Sequence, residues 1–183
     1  MGPLPYSERF ASLWSEATGK KVKIITRLGE YELRIVTPGF PLKGQMRVAT
    51  LADLDLASQW TYEFSVEALP HEKSSVEEFK TRKRRQIEAG RVFLLEDAGQ
   101  VVASVSLGGD TKNSTRIGQV YTPPRFRKMG YAGSLTAQVS QLLLDQGKQF
   151  VNLSTDLNNP TSNSLYQRIG YRYLGESAHY GFN

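Results

Sequence analysis

The stretch that most limits what this chain can become is residues 120–147. There a strand-like segment meets a basic, glycine-containing loop and then the clearest helix in the sequence. Ala132, Leu135, Val139 and Leu142 recur at helical spacing on one face, and Gly147 ends the run. A helix that starts straight after a loop leaves its first N–H groups unpaired. With the helix dipole, these make a site for an anion. Gly130 lets backbone approach a ligand closely, and Arg127 and Lys128 add positive charge beside it. A pyrophosphate suits such a place, although the same residues also read as a tight turn with solvated basic side chains. Neither GxxxxGK[ST] nor GxGxxG occurs, so ATP and dinucleotides are poorly supported.

The rest of the chain alternates short helices with strands. Residues 7–18 predict a helix carrying Phe10, Leu13 and Trp14, stopped by Gly19. Residues 21–26 and 31–36 alternate apolar and polar around Leu28-Gly29-Glu30, which predicts a hairpin. Pro38-Gly39-Phe40-Pro41 then breaks the pattern. This divides the chain into residues 1–44, an extension or the remnant of a longer N-terminal part, and a domain over 45–183. Residues 46–49 read as a strand, followed by a helix capped by Thr50 and Asp53, with Leu54, Ala57, Trp60 and Phe64 on its apolar face and Leu69-Pro70 at its end. Ser74 and Glu77 open a second helix carrying Val76, Phe79 and Ile87. Strands follow over 91–96, 101–107 and 116–122. After the long helix come a strand over 150–155, a helix over 161–169 and a closing pair of strands over 171–174 and 178–182. The fold class expected is α/β.

Composition excludes several chemistries. The chain has no cysteine, so disulfides, thiolate metal sites and an acyl-cysteine intermediate are ruled out. His71 and His179 are its two histidines, too few for a histidine-built metal site, and no metal is expected. No apolar run approaches the roughly 20 residues that span a bilayer, and the start lacks a signal-peptide pattern, so a cytoplasmic protein without membrane contact is expected. Much of the +5 net charge sits in Lys80-Thr81-Arg82-Lys83-Arg84-Arg85. That run is either a solvated helix face or a patch for an anionic partner such as nucleic acid, an acidic substrate or CoA phosphates. The lack of interleaved aromatics argues against a single-strand binder.

Arg127-x-x-Gly130-x-Ala132 resembles the R/Q-x-x-G-x-G/A signature of the GNAT acetyltransferase superfamily. Downstream, Asn159-Pro160-Thr161-Ser162-Asn163-Ser164-Leu165-Tyr166-Gln167-Arg168-Ile169-Gly170-Tyr171 resembles that superfamily's N-x-x-S/A-x-x-L-Y-x-x-x-G-F/Y segment. The resemblance covers residues 46–183. It implies a GNAT-like mixed, mostly antiparallel sheet flanked by helices, with residues 1–44 as a helix-plus-hairpin extension. It also implies acetyl-CoA as co-substrate and transfer of its acetyl group to a primary amine, on a small molecule or a protein, by direct attack.

The resemblance places cofactor contacts on named residues. Backbone amides of Arg127, Lys128, Met129, Gly130, Tyr131, Ala132 and Gly133 would wrap the pyrophosphate. Val120, Tyr121 and Thr122 would pair with the pantetheine arm, with an amide near Val120 or Tyr121 polarising the thioester carbonyl. Asn159 and Asn163 would line the other side. Tyr166 would donate a proton to the departing thiolate, and Ser154 would orient a water. The family's carboxylate on the strand before the loop is missing from 117–120, which leaves Glu63 or Glu67 as distant candidates for the base. Substrate contacts would come from 54–74 and 175–183. Two alternatives stand beside this reading: a catalytically inactive acyl-CoA-binding regulatory module, and a nucleic-acid-binding module built on residues 80–85. A homodimer is compatible with all three.

Overall fold

In the computed structural model, which describes residues 1–68 and 74–183, eight strands pair into one sheet. The expected helix end at Leu69-Pro70 and His71 fall outside the described residues. The elements are β1 (Gly2–Pro3), α1 (Tyr6–Thr18), β2 (Val22–Leu33), β3 (Gln45–Val48), α2 (Leu54–Ala68), α3 (Val76–Glu88), β4 (Val92–Asp97), β5 (Gln100–Asp110), β6 (Ser114–Tyr121), α4 (Tyr131–Asp145), β7 (Phe150–Asp156), α5 (Pro160–Ile169) and β8 (Arg172–Phe182). The sheet order is β1-β8-β2-β7-β6-β5-β4-β3. Every pairing is antiparallel except β6 with β7. The mixed α/β architecture expected from the sequence is present.

Period-2 alternation sends successive side chains to opposite faces, and each face has its own helices. Leu135, Val139 and Leu143 of α4 pack with Phe93, Val105, Ile117, Val151 and Leu153. On the other face, Leu54 and Ala57 of α2 and Ile87 of α3 cover Val92 and Leu94. Helix starts follow local chemistry. Thr50 N donates to Asp53 Oδ2 at 2.8 Å before the short 3₁₀ turn that leads into α2. Asp53 is also gripped by Arg47 at 2.7 and 2.8 Å, which holds its carboxyl down at about 2. The capping box expected at Ser74 and Glu77 sits one residue later: Ser75 Oγ accepts from Glu78 N at 3.3 Å, and Glu78 Oε2 accepts from Ser75 N at 2.8 Å.

Two expected hairpins are corrected. Residues 21–36 do not turn at Leu28-Gly29-Glu30; β2 runs straight through and pairs with β7 on one side and β8 on the other. Gly29 is required for space rather than for a turn. A Cβ there would stand 2.9 Å from the Tyr31 ring and 3.0 Å from Leu157 Cδ2. The closing pair over 171–182 is likewise one strand, β8, kinked by an irregularity opposite Glu30 and Tyr31, where Gly175 takes φ 152°. Each run found its partner at the far end of the chain instead of in its own second half. Residues 1–44, expected as an extension, contribute β1 and the interior strand β2 to the sheet shared with 45–183.

Leu33, at the end of β2, is fully buried within the main core. Leu33→Ala should lower stability by about 2–5 kcal/mol in urea unfolding, as for a central core leucine. A loss below about 0.5 kcal/mol, the level of a surface change, would show that β2 is not part of the folding core.

Candidate active site

Strands β6 and β7 hold together over only three pairs, Ser114–Phe150, Thr115–Val151 and Arg116–Asn152. They part where β6 is distorted. Tyr121 lies opposite Ser104 and Gly118 opposite Ser106, so β6 takes three steps where β5 takes two. The extra residue is at Gln119, which has φ 48°. Such a bulge bends and twists its strand. Beyond Arg116, β6 does not pair with β7 among the described residues, and N–H and C=O groups on that edge are open to an extended ligand. Val120, Tyr121 and Thr122 stand at this edge or just past it. Tyr121 is buried, its ring 6.0 Å from that of Trp60, and its hydroxyl donates to Glu63 Oε2 at 2.8 Å. Burial, helped by Glu63, pushes that phenol up to about 12. Thr122 Oγ1 is buried and has no hydrogen-bond partner among the described residues.

The loop after β6 makes a short turn over Pro124–Phe126 and then uses two left-handed residues, Lys128 (φ 63°) and Gly130 (φ 90°), to enter α4. A Cβ at Gly130 would meet nothing within 4 Å, so glycine is needed there for its φ alone. The first bond into the helix is Ser134 N to Gly130 O at 3.0 Å, which leaves the amides of Tyr131, Ala132 and Gly133 unpaired within it. Gly133 is small for another reason: a Cβ would lie 2.8 Å from Leu165 Cδ1. Lys128 and Met129 are exposed. Arg127 folds back, its Nε donating to Thr122 O at 2.9 Å and its Nη2 to both oxygens of Glu67 at 2.8 and 2.7 Å.

Asn159 and Asn163 are committed to the fold. Asn159 Oδ1 caps α5 by accepting from Ser162 N at 3.1 Å. Asn163 accepts from the Tyr31 hydroxyl at 3.0 Å and donates to the backbone carbonyls of Asp156 and Asn159 at 3.1 and 2.8 Å. These side chains shape the β7–α5 turn. Tyr166 of α5 is 8% exposed, with its ring against Tyr171 at 5.9 Å. Its hydroxyl has no hydrogen bond among the described residues, and burial pushes it up to about 12.

A carboxylate stands near the cleft on β2, in the segment whose sequence predicts a turn. Glu30 of β2 accepts from Ser154 Oγ at 2.7 Å and from Ser177 Oγ at 2.5 Å, and stands 3.5 Å from Arg116 Nη2. Arg116 belongs to the last pair before β6 and β7 part, so the carboxylate lies at the root of the cleft. Glu63 and Glu67, the earlier candidates, are held by Tyr121 and Arg127. The signal that could have found Glu30 was present: Glu30 and Glu32 alternate with Tyr31 and Leu33, as in a strand with one buried face.

One more polar group borders the cleft. Lys83 of α3 is 2% exposed, and its Nζ donates to Ser106 Oγ at 2.8 Å and to Gln119 Oε1 at 2.9 Å. Burial, then the neighbouring Arg82 charge, lowers the ammonium from 10.5 to about 8.

The FR47-like protein family model matches residues 100–180. No curated protein matches the sequence. Solved structures match over most of the chain. A GNAT-family acetyltransferase from Colwellia psychrerythraea is 14% identical with a TM-score of 0.67, over 88% of this chain and 56% of its own. A ribosomal-protein-alanine N-acetyltransferase from Brucella melitensis is 23% identical with a TM-score of 0.58, over 69% of this chain and 83% of its own. A predicted acetyltransferase from Clostridium acetobutylicum, solved with acetyl-CoA, is 13% identical with a TM-score of 0.54, over 70% and 89%. The fold is that of the GNAT acetyltransferases. This chain spans only a little over half the length of the Colwellia protein. Within the GNAT fold, the matched stretch 100–180 carries the β6 edge, the loop, Ser154 and Tyr166; Glu30 and Lys83 lie outside it.

The depressed Lys83 value has a definite sign in stability. The folded state sheds its proton near pH 8, whereas an unfolded lysine keeps it to 10.5, so the cost of burying the charge is full below pH 8 and is relieved between the two values. Over that window the protein should gain about 3 kcal/mol relative to Lys83→Met, measured by denaturant unfolding at a series of pH values. Parallel profiles for the two proteins would mean that Lys83 is not desolvated.

Proposed function

We propose that this protein is an acetyl-CoA-dependent N-acetyltransferase that acts on a primary amine by direct attack. The observation that carries this is the convergence of two unsatisfied backbone surfaces: the open edge of β6 past Arg116 and the free amides at the start of α4. The donor set fits a ligand with a diphosphate at one end and an extended amide-bearing arm at the other. Residues 127–133 would hold the diphosphate, and residues 120–122 the arm. The unpartnered Thr122 Oγ1 is one polar atom such a ligand would satisfy. Bound acetyl-CoA supplies an activated acyl group; the side chains supply position and proton management.

For that chemistry, an amine entering at the root of the cleft meets Ser154. As the new C–N bond forms, its proton passes to Ser154 Oγ while the serine proton moves to Glu30, to which it already points. Tyr166, held near 12, is protonated at neutral pH and serves the departing thiolate first as hydrogen-bond donor and then as proton source. An amide of the β6 edge faces the developing oxyanion.

The inactive-module alternative drew its support from the carboxylate missing on β6; Glu30, bonded to Ser154, supports the active reading instead. The basic run behind the nucleic-acid alternative is partly committed: Lys80 pairs with Asp55 at 2.5 Å, Lys83 is buried and Arg82 lies over the Phe79 ring at 4.5 Å, while Arg84 and Arg85 are exposed. Salt-dependent duplex binding is the test of that reading. The Brucella protein bears the name ribosomal-protein-alanine N-acetyltransferase, so peptide amines belong in a substrate panel with small amines.

Thermal unfolding with acetyl-CoA at ~100 times its dissociation constant should show stabilisation of about 2.7 kcal/mol, while ATP gives none. Absence of a shift at any concentration would overturn the proposal. In turnover assays, Glu30→Gln should lose about 100-fold and Tyr166→Phe about 10-fold, with the acetyl-CoA shift retained in both.

A further inference from the structure

The acyl-transfer reading leaves one buried charge without a role. Lys83 shares the inner stripe of α3 with Phe79 and Ile87, where an apolar side chain would fill the space with no ammonium to desolvate. Among the described residues its acceptors are both neutral, Ser106 Oγ and Gln119 Oε1. Arg82 on its own helix has the same sign, and no ion pair to Lys83 occurs among the described residues. Side chains that break a packing rule concentrate at functional sites.

The place this lysine grips is the irregularity that opens the cleft. Gln119 is a non-glycine residue at φ 48°, a conformation that needs outside support. Ser106 sits opposite Gly118, immediately before it. Lys83 therefore bridges the two strands at the point where they lose register, and the bulge decides which way the groups of Val120 and Tyr121 face.

We infer that Lys83 is a positioning residue for acyl transfer: its buried ammonium holds Gln119 in the bulge that turns the open edge of β6 into the cleft. This rests on the acetyltransferase reading above. Lys83 acts through Gln119 and touches no reacting atom. Binding of the cofactor's diphosphate, which depends on residues 127–133, does not pass through it, whereas the pairing of the arm with residues 120–122 does. Its loss should therefore fall more heavily on turnover than on acetyl-CoA affinity.

The test is a double-mutant cycle in steady-state kinetics, with acetyl-CoA and an amine that the wild-type protein accepts. Lys83→Met and Gln119→Ala should each lower kcat by about 10- to 100-fold, the scale of a small misplacement of reacting groups. The KM for acetyl-CoA should change by less than about threefold, and the double variant should be no worse than the poorer single one. A kcat within about twofold of wild type in either folded single variant, or losses that multiply in the double variant, would overturn the inference. Should Lys83→Met fail to fold, Gln119→Ala, which keeps the lysine, decides the matter alone. Turnover and an acetyl-CoA-dependent midpoint shift in the wild type separate the two levels: if both are absent, the acetyltransferase reading falls and takes this inference with it.

Discussion

The parting of β6 from β7 after three parallel pairs is the constraint on which the rest of the site depends. A parallel ladder that continued to Tyr121 would consume the edge groups a ligand needs and would close the space between the strands. The separation follows from one extra residue at Gln119, whose left-handed backbone puts β6 out of step with β5. Around that point lie the groups that can do chemistry or recognition: the free amides at the start of α4, the orphaned Thr122 hydroxyl, the Tyr121–Glu63 pair and the Ser154–Glu30 pair.

The second organising feature is the interior position of β2. Without it, β7 and β8 would each present an open edge, an aggregation hazard, and Tyr31 and Leu33 would be missing from the core. Its polar face also delivers Glu30 to the root of the cleft. A strand from the N-terminal part of the chain thus completes the sheet and brings a carboxylate to Ser154, although the family-model match begins only at residue 100.

Local rules and tertiary demands conflict at a few positions, and these cluster near the cleft. Lys83 is a buried cation between neutral partners, Gln119 is a left-handed residue that is not glycine, and Tyr166 is a buried phenol whose hydroxyl has no hydrogen bond. By contrast, Asn163 and Gly133, both expected at the ligand, have side-chain requirements explained by packing and loop closure.

By itself the sequence determined the helices and strands whose periodicity is strong, the loop chemistry at Arg127–Gly130, the exclusion of cysteine-based catalysis and the resemblance carried by two motifs. These are local properties: a helical stripe, a helix N-terminus and a glycine at positive φ are specified within a few residues. Tertiary structure decided what is non-local. Alternation around Gly29 fits a hairpin and a long strand equally well, and only the availability of β7 and β8 as partners chose the strand. Alternation marks Glu30 as a strand residue, but its place beside Ser154 was undecided for the same reason. Glu30 and Ser154 are separated by more than 120 residues of chain, and no spacing rule joins them until the sheet does.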